Sequence, residues 1–265
     1  MKTWKTVEEE LNGWLAAGLK GPVAVVNLAN ACIGWPYVFG AWGERCTPSN
    51  RKSRARSDYP TIISKCQVLR SDNPKPSCEG CKWYPGGVVL FYDCRGFTHW
   101  LLKNGAGITI EGQGATSQWN NDSNWAEKGT IDKMPRDKVC CVFRYDSSKK
   151  TMEHTLLYDG QGNYIHCSGE VKKTAANKYA ATHYAIPKGL YANPAPAPEP
   201  TSEKDTAIVT GKNVALREGP GTNYKVITRI PTNTKVDIAH ETDEWQLITH
   251  NGKTGYMMKQ FIKEG

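Results

Sequence analysis

The sequence predicts an α+β domain in the first part of the chain and a small all-β domain after it. Three observations lead to this prediction. Helical patterns come first, antiparallel strand patterns follow, and a run rich in proline and alanine (193–204) then precedes a short stretch of alternating apolar residues. Helices that precede a group of strands are typical of α+β folds. We therefore expect domains at 1–192 and 205–265, joined by an extended linker at 193–204.

Four helices are predicted in the first domain, at 6–17, 22–31, 94–103 and about 117–127. In the first, Val7, Leu11 and Trp14 recur at helical spacing, which predicts one buried face. Pro22 suits the first turn of the second helix. Asn104-Gly105 predicts the end of the third, because glycine readily takes the left-handed conformation that closes a helix.

The strands of the first domain are predicted at 139–143, 155–158 and 164–167, with a turn over 159–163. In the second domain, alternation at Val236/Ile238 and at Trp245/Leu247 predicts two strands. Asn251-Gly252 predicts a two-residue hairpin turn, because both residues tolerate positive φ.

A nucleophile is predicted at Cys94, which lies at or near a helix N-terminus. Amide dipoles there favour the thiolate over the thiol. His154 and His166 lie on two apolar segments joined by a turn, so one ring can take the proton and the other can orient the first. His99, five positions along the helix, is expected to point away. The alternative is that Cys94 is a buried core residue, as free cysteines usually are.

Four motifs resemble those of the NlpC/p60 cell-wall cysteine peptidases. Asp93-Cys94-Arg95-Gly96-Phe97 resembles the Asp-Cys-Ser-Gly-Phe signature of that family. Residues 152–160 resemble its His-Val-Gly-Ile-Tyr-x-Gly strand, residues 164–168 its Ile-His-Ala-Ser strand, and residues 31–40 its Gly-x-Pro-Tyr-x-x-Gly segment. The resemblance covers about 22–190 and implies a papain-like core with an insertion at about 44–82.

The resemblance implies a role for each matching residue. Cys94 would attack a peptide carbonyl, His154 would take and return the proton, and His166 would orient His154. Tyr37 would line the pocket, and Asp93 would help to bind the free amine of the L-Ala of a peptidoglycan stem peptide. The reaction implied is hydrolysis of the bond between γ-D-Glu and the diamino acid.

Arg95 departs from the family, which usually has serine at this position. A guanidinium is a planar fork suited to carboxylates, so Arg95 is a candidate to bind a D-Glu or terminal carboxylate of the substrate. The departure leaves the cleavage position open. The alternative reaction is that of an N-acetylmuramoyl-L-alanine amidase with the same triad.

The second domain resembles bacterial SH3-type (SH3b) wall-binding domains. Residues 213–224 resemble their Leu-Asn-Val-Arg-x-Gly-Pro-Gly-x-x-Tyr opening, and residues 252–257 resemble their later Gly-x-x-Gly-Trp/Tyr-Val. An SH3-like barrel that binds the cell wall is implied. Tyr224, Trp245 and Tyr256 are candidate walls of a shallow groove, with a core role for Trp245 as the alternative.

The insertion carries four cysteines, Cys46, Cys66, Cys78 and Cys81. The last two form a Cys-x-x-Cys with glycine inside it, which is typical of a zinc knuckle, and four thiolates complete a structural zinc site. Disulfides formed after release and unpaired thiols are the alternatives. No cofactor is expected for catalysis.

Positive charge concentrates in the insertion and suits a polyanionic partner. The chain has a net charge of +8, and the insertion holds nine basic residues against four acidic ones. A non-catalytic wall-binding or nucleic-acid-binding protein is therefore a second class of function. Intact Cys94, His154 and His166 favour the enzyme, so we expect no specific nucleic-acid partner. Oligomeric state is left open.

The N-terminal segment lacks the apolar centre of a signal peptide, and no run approaches the ~20 apolar residues of a membrane span. We therefore expect synthesis in the cytoplasm and action on the wall after release, as in a phage or prophage lysin.

Overall fold

A computed structural model describes residues 1–55, 61–192, 206–222, 224–241 and 244–264. The chain divides into two compact units, one of Met1–Glu8 with Val25–Ala192 and the other of Glu9–Ala24 with Asn193–Gly265. The predicted linker at 193–204 lies outside the described residues, and the predicted domain boundaries stay predictions. Among the helices of the described ranges, none combines the length and the apolar character needed to span a bilayer.

The first helices largely follow the predicted pattern. They are α1 (Trp4–Ala16), α2 (Pro22–Ala31), α3 (Pro48–Ser53), α4 (Thr61–Lys65), α5 (Cys94–Ala106) and α6 (Ala115–Asn120). The predicted end of α5 at Asn104-Gly105 is wrong, because Gly105 stays helical, where its lack of a side chain lets Val25 approach. Gly107, at φ 70°, ends the helix instead. The helix predicted at about 117–127 is also too long, since α6 ends at Asn120.

The strands of the first domain form one large antiparallel sheet and one small pair. They are β1 (Trp42–Arg45), β2 (Leu90–Tyr92), β3 (Trp125–Thr130), β4 (Val139–Asp146), β5 (Thr151–Asp159), β6 (Asn163–Ser168), β7 (Glu170–Ala175) and β8 (His183–Pro187). The six-stranded sheet has the order β3-β8-β4-β5-β6-β7, and its core includes Val142, Leu156 and Tyr164. The α+β prediction is confirmed.

The pair of β1 and β2 brackets the cysteine-rich insertion. Arg45 lies opposite Leu90 and Trp42 opposite Tyr92 in this antiparallel pair. The insertion therefore leaves and rejoins the domain at neighbouring strand ends. Inside it, Ile62 of α4 packs with Val38 and Phe91.

The second unit contains a seven-stranded antiparallel sheet that is consistent with the predicted barrel. Its strands are β9 (Thr206–Val209), β10 (Val214–Arg217), β11 (Val226–Ile230), β12 (Lys235–Glu241), β13 (Trp245–His250), β14 (Lys253–Met258) and β15 (Ile262–Glu264). The sheet order is β11-β10-β14-β13-β12-β9-β15. Asn251 and Gly252, both at positive φ, form the predicted hairpin turn. Val209, Leu216 and Ile248 belong to the core.

Candidate active site

Asp93 starts helix α5 and sets the position of the next residue, Cys94. Its Oδ1 accepts a hydrogen bond from the Gly96 amide at 2.6 Å, the usual way in which an N-cap satisfies a free helix donor. Its Oδ2 accepts a second bond from the Gly40 amide at 3.2 Å. The same carboxylate therefore fixes both the helix that carries Cys94 and the segment that contains Tyr37.

Glycine at position 96 is explained by the closeness of the neighbouring chain. A Cβ at Gly96 would lie 2.0 Å from the Ala41 carbonyl oxygen and 2.9 Å from the Trp42 Cα. That carbonyl already accepts the Asp93 amide at 3.0 Å. The glycine of the motif thus allows the first turn of α5 to lie directly against the segment before β1.

The two histidines form a directed pair on adjacent strands. Leu157 lies opposite Ile165 in the register of β5 and β6, which makes His154 and His166 near-diagonal neighbours. His154 Nε2 lies 2.9 Å from His166 Nδ1. His166 Nε2 lies 3.5 Å from Thr174 Oγ1. If each Nε2 carries the proton, His154 donates to His166 and His166 to Thr174, and His154 Nδ1 is left as the base.

The Cys94 thiol lies beside the strand that carries His154. The backbone amide of Thr155, the residue after His154, interacts with the sulfur, as do the amides of Cys94 and Arg95. Burial raises the pKa of the Tyr179 phenol, and Tyr179 lies close enough to Cys94 for a negative charge on that sulfur to raise this pKa as well. The Tyr179 ring centre lies 6.0 Å from that of His154 and 5.2 Å from that of His166. A thiol, two imidazoles and a covering phenol thus share one region.

Electrostatics give a resting site in which the thiol and both imidazoles are neutral. Burial, and then the Asp93 carboxylate, raise the pKa of Cys94 to about 11, although part of the residue reaches solvent. The amides at the helix N-terminus lower the pKa of Cys94, as predicted, but desolvation outweighs them, so the net pKa is raised. Burial lowers the pKa of His154 to about 3 and that of His166 to about 4, with nearby positive charges adding to both effects.

Two of the residues predicted to bind substrate, Asp93 and Arg95, have buried side chains. Asp93 is buried, and both of its oxygens accept backbone amides. Arg95 is only 4% exposed. Its guanidinium carbon lies 3.0 Å from the centre of the Trp42 ring, and Nη1 donates to the Gly112 carbonyl at 3.2 Å. Trp42 and Gly112 hold the Arg95 guanidinium, and the predicted role of Arg95 in binding a substrate carboxylate stays a prediction.

Tyr37 lies alongside the strand that leads to the nucleophile. It forms a parallel bridge with Tyr92, and its amide donates to the Gly169 carbonyl at 3.0 Å. Its side chain is partly exposed, so its predicted role in lining the pocket stays a prediction. His99 bonds through Nδ1 to the Ile110 carbonyl at 3.0 Å, in keeping with a structural role.

Two of the three predicted groove residues of the second unit are buried. Tyr256 is fully buried and Trp245 is 8% exposed, so neither offers an open ring. Met257 contributes to the barrel core, and the opposite side of β14, which carries Tyr256, is covered as well. Tyr224 is partly exposed and packs over Gly219, which leaves it as the remaining groove candidate.

Sequence reasoning missed the groups that surround the histidine pair. Tyr179, Thr174 and Arg144 follow no motif, and Arg144 lies over the Tyr179 ring with 5.5 Å between its guanidinium carbon and the ring centre. Thr174 would emerge only from the pairing of β6 with β7, in which it lies opposite Tyr164. The four cysteines of the insertion have free thiols and line one small pocket.

This arrangement contains the parts required for acyl transfer by a thiol nucleophile. They are a sulfur at a helix N-terminus, an imidazole base, a second imidazole that orients the first, and amides beside the sulfur.

Comparison with known proteins gives a family match in the second domain. The family model described as "Bacterial SH3 domain" matches residues 212–263, so that part of the prediction is confirmed. "Putative N-acetylmuramoyl-L-alanine amidase YrvJ" of Bacillus subtilis is 26% identical over 65 residues, which are 24% of this chain. The chain spans only 12% of the length of that relative.

Two solved structures are similar to a larger part of the chain. The NlpC/p60 domain of peptidoglycan hydrolase SagA is 21% identical, with 61% of this chain and 95% of that chain covered and a TM-score of 0.36. NlpC1 from Trichomonas vaginalis is 18% identical, with 66% and 44% covered and a TM-score of 0.35.

Proposed function

We propose that this protein is a peptidoglycan hydrolase of NlpC/p60 type that cuts the stem peptide with Cys94, His154 and His166. The observation that carries the proposal is the 2.9 Å contact between His154 Nε2 and His166 Nδ1. Thr155, the residue after His154 on the same strand, presents its amide to the Cys94 sulfur. The motif resemblance supplies the substrate class. We include in the proposal the wall-lysin role expected from the sequence and wall retention by the SH3 domain.

The reaction begins from a neutral thiol and a neutral imidazole. As Cys94 Sγ attacks the carbonyl carbon, its proton passes to His154 Nδ1, and the amides beside the sulfur stabilise the oxyanion. His166 accepts the His154 Nε2 hydrogen and keeps Nδ1 directed at the sulfur. The imidazolium then returns the proton to the leaving amine, and water hydrolyses the thioester by the same route in reverse.

The preferred bond is that between γ-D-Glu and the diamino acid, as the family resemblance implies. The Arg95 guanidinium lies against Trp42 and Gly112, so its contact with a substrate carboxylate is not part of this proposal. The departure from serine at this position therefore gives no structural reason to prefer the amidase reaction. Both reactions use the same three residues, so the products must separate them.

Digestion of purified peptidoglycan, with the fragments identified by mass spectrometry, tests the proposal directly. We expect the full chain to release L-Ala-D-Glu from stems with a free N-terminus, and we expect Cys94→Ala to release none. Cys141→Ala is the matched control, since this cysteine is fully buried in β4. Release of whole stem peptides would replace the endopeptidase by the amidase. Absence of any product that depends on Cys94 would contradict the hydrolase.

The pH dependence of the rate follows from the two shifted groups. His154 accepts a proton only above its pKa of about 3, and the thiol keeps its proton for transfer below its pKa of about 11. We therefore expect kcat/KM on a soluble stem peptide to be nearly flat from about pH 5 to pH 9. An acid limb with an apparent pKa near neutrality would instead indicate a thiolate–imidazolium pair in the resting enzyme.

A further inference from the structure

The four cysteines of the insertion are brought together by separate pieces of backbone. Cys46 follows β1, Cys66 follows α4, and Cys78 and Cys81 flank a tight turn. In that turn the Cys81 amide donates to the Cys78 carbonyl at 3.0 Å, and Gly80 has a φ of 72°, which favours glycine. All four thiols line one cavity of about 20 Å³, which is room for one water-sized group.

Gln67 holds two of these pieces in place. Its Nε2 donates to the Ser77 carbonyl at 2.8 Å and to the Glu79 carbonyl at 2.9 Å. Gln67, the residue after Cys66, is therefore hydrogen-bonded to the turn that carries Cys78 and Cys81. On the other side, the Cys46 amide donates to the Val89 carbonyl at 2.8 Å, which anchors the first cysteine to the chain that enters β2.

A buried arginine points to negative charge in this cavity. Arg51 is 2% exposed, and its Nε and Nη2 each lie 3.3 Å from Cys46 Sγ. Among the described residues, Cys46 Sγ is the acceptor of the Arg51 side-chain hydrogen bonds, and Arg51 Nη1 has no hydrogen-bond partner. A guanidinium stays charged, and burying it is costly unless an anion balances it. The lining of the cavity contains Arg51 and Lys65 but no carboxylate, so the four sulfurs are the candidates for the balancing anion.

We propose that Cys46, Cys66, Cys78 and Cys81 bind one zinc ion as a structural tetrathiolate site, with Arg51 donating to the Cys46 sulfur. Four thiolates around Zn²⁺ carry a net charge of −2, which Arg51 and Lys65 offset. In the described part of the chain no group of three or more Cys, His, Asp or Glu side chains is already arranged to hold a metal ion, so zinc binding requires the thiols to rotate about their Cα–Cβ bonds. A closed set of four sulfurs leaves no position for a water, so the ion stabilises the insertion and takes no part in hydrolysis.

Metal analysis of the full chain, purified without chelator, tests this site. We expect one zinc per chain, released in step with modification of four thiols by an organomercurial and detected with a zinc-sensitive dye. Cys78→Ser and Cys81→Ser should each lose the zinc, whereas Cys141→Ala should keep it. Cys94→Ala should also keep it while losing hydrolysis, so the zinc site and the proposed hydrolase can fail separately.

Two further measurements keep the test decisive if the serine variants fail to fold. Wild-type protein stripped of metal and given Co²⁺ should show the intense visible bands of a tetrahedral thiolate complex. Arg51→Gln should lose zinc to a chelator about 10-fold to 100-fold faster than wild type, as expected when a partner of a metal ligand is removed. Absence of cobalt bands, or an intact mass reduced by two hydrogens for each disulfide among these cysteines, would overturn the proposal.

Discussion

Replacing His154 by alanine is expected to lower kcat/KM for a stem peptide by about 10⁴-fold, close to the effect of losing the nucleophile. The thiol has a pKa of about 11, so almost none of it ionises at neutral pH without a base beside it. His154 is the imidazole on the strand next to the sulfur, and its low pKa leaves it unprotonated at neutral pH, which is the form that can take the thiol proton. Rates measured on a soluble stem peptide, with folding checked by circular dichroism, test this expectation.

Two substitutions at His166 distinguish a role in orienting His154 from a purely structural role. His166→Ala removes the acceptor of the His154 Nε2 hydrogen bond and is expected to cost about 10²-fold to 10³-fold in kcat. His166→Asn keeps an acceptor oxygen and should recover much of that loss. The control is His183→Ala, a histidine of β8 that contacts Trp119. Equal losses in the alanine and asparagine variants, or a retained rate in His154→Ala, would contradict the assigned roles.

Gly96→Ala is expected to destabilise the first domain by about 3 kcal/mol, which corresponds to a fall in Tm of about 10 °C. The new methyl group would lie 2.0 Å from the Ala41 carbonyl oxygen, and this neighbour is backbone that cannot rotate away. Either α5 or the segment before β1 must shift, and both carry parts of the site. We therefore expect hydrolysis to fall with stability. Thermal unfolding and the digestion rate of the same preparation measure both effects.

Gly114→Ala is the matched control for this substitution. Gly114 lies at the start of α6 with an extended backbone, and a Cβ there would meet no atom within 4 Å. Its Tm should stay within about 2 °C of wild type, because a methyl group that meets no neighbouring atom changes stability little. A Tm for Gly96→Ala as high as that of Gly114→Ala would show that the first turn of α5 does not pack as closely as described.

The elements that the sequence predicted well are those with a local signal. Pro22 marks the start of α2, and Asn251-Gly252 marks a hairpin, because each of these residues restricts its own backbone. The motif around Cys94 also predicted the helix that begins there. In each case the information lies within a few residues of the feature.

The properties that the sequence could not provide depend on distant contacts. The direction of the Cys94 pKa shift reflects how much protein surrounds the sulfur, which no dipole argument contains. Arg95 lies against Trp42, which is 53 positions earlier in the chain. Tyr179 reaches the histidines only after the chain has passed through β7. These side chains follow no period or motif, so only the fold brings them together.

The pairing of β1 with β2 holds the two ends of the cysteine-rich insertion next to each other, whatever the length of chain between them. Because Arg45 and Leu90 face each other across the pair, the two junctions lie as close together as the ends of an ordinary hairpin. The length between them can then vary at small entropic expense, since doubling a closed loop adds only about 0.6 kcal/mol. The insertion can therefore change in length while the strand that leads into Cys94 stays in register.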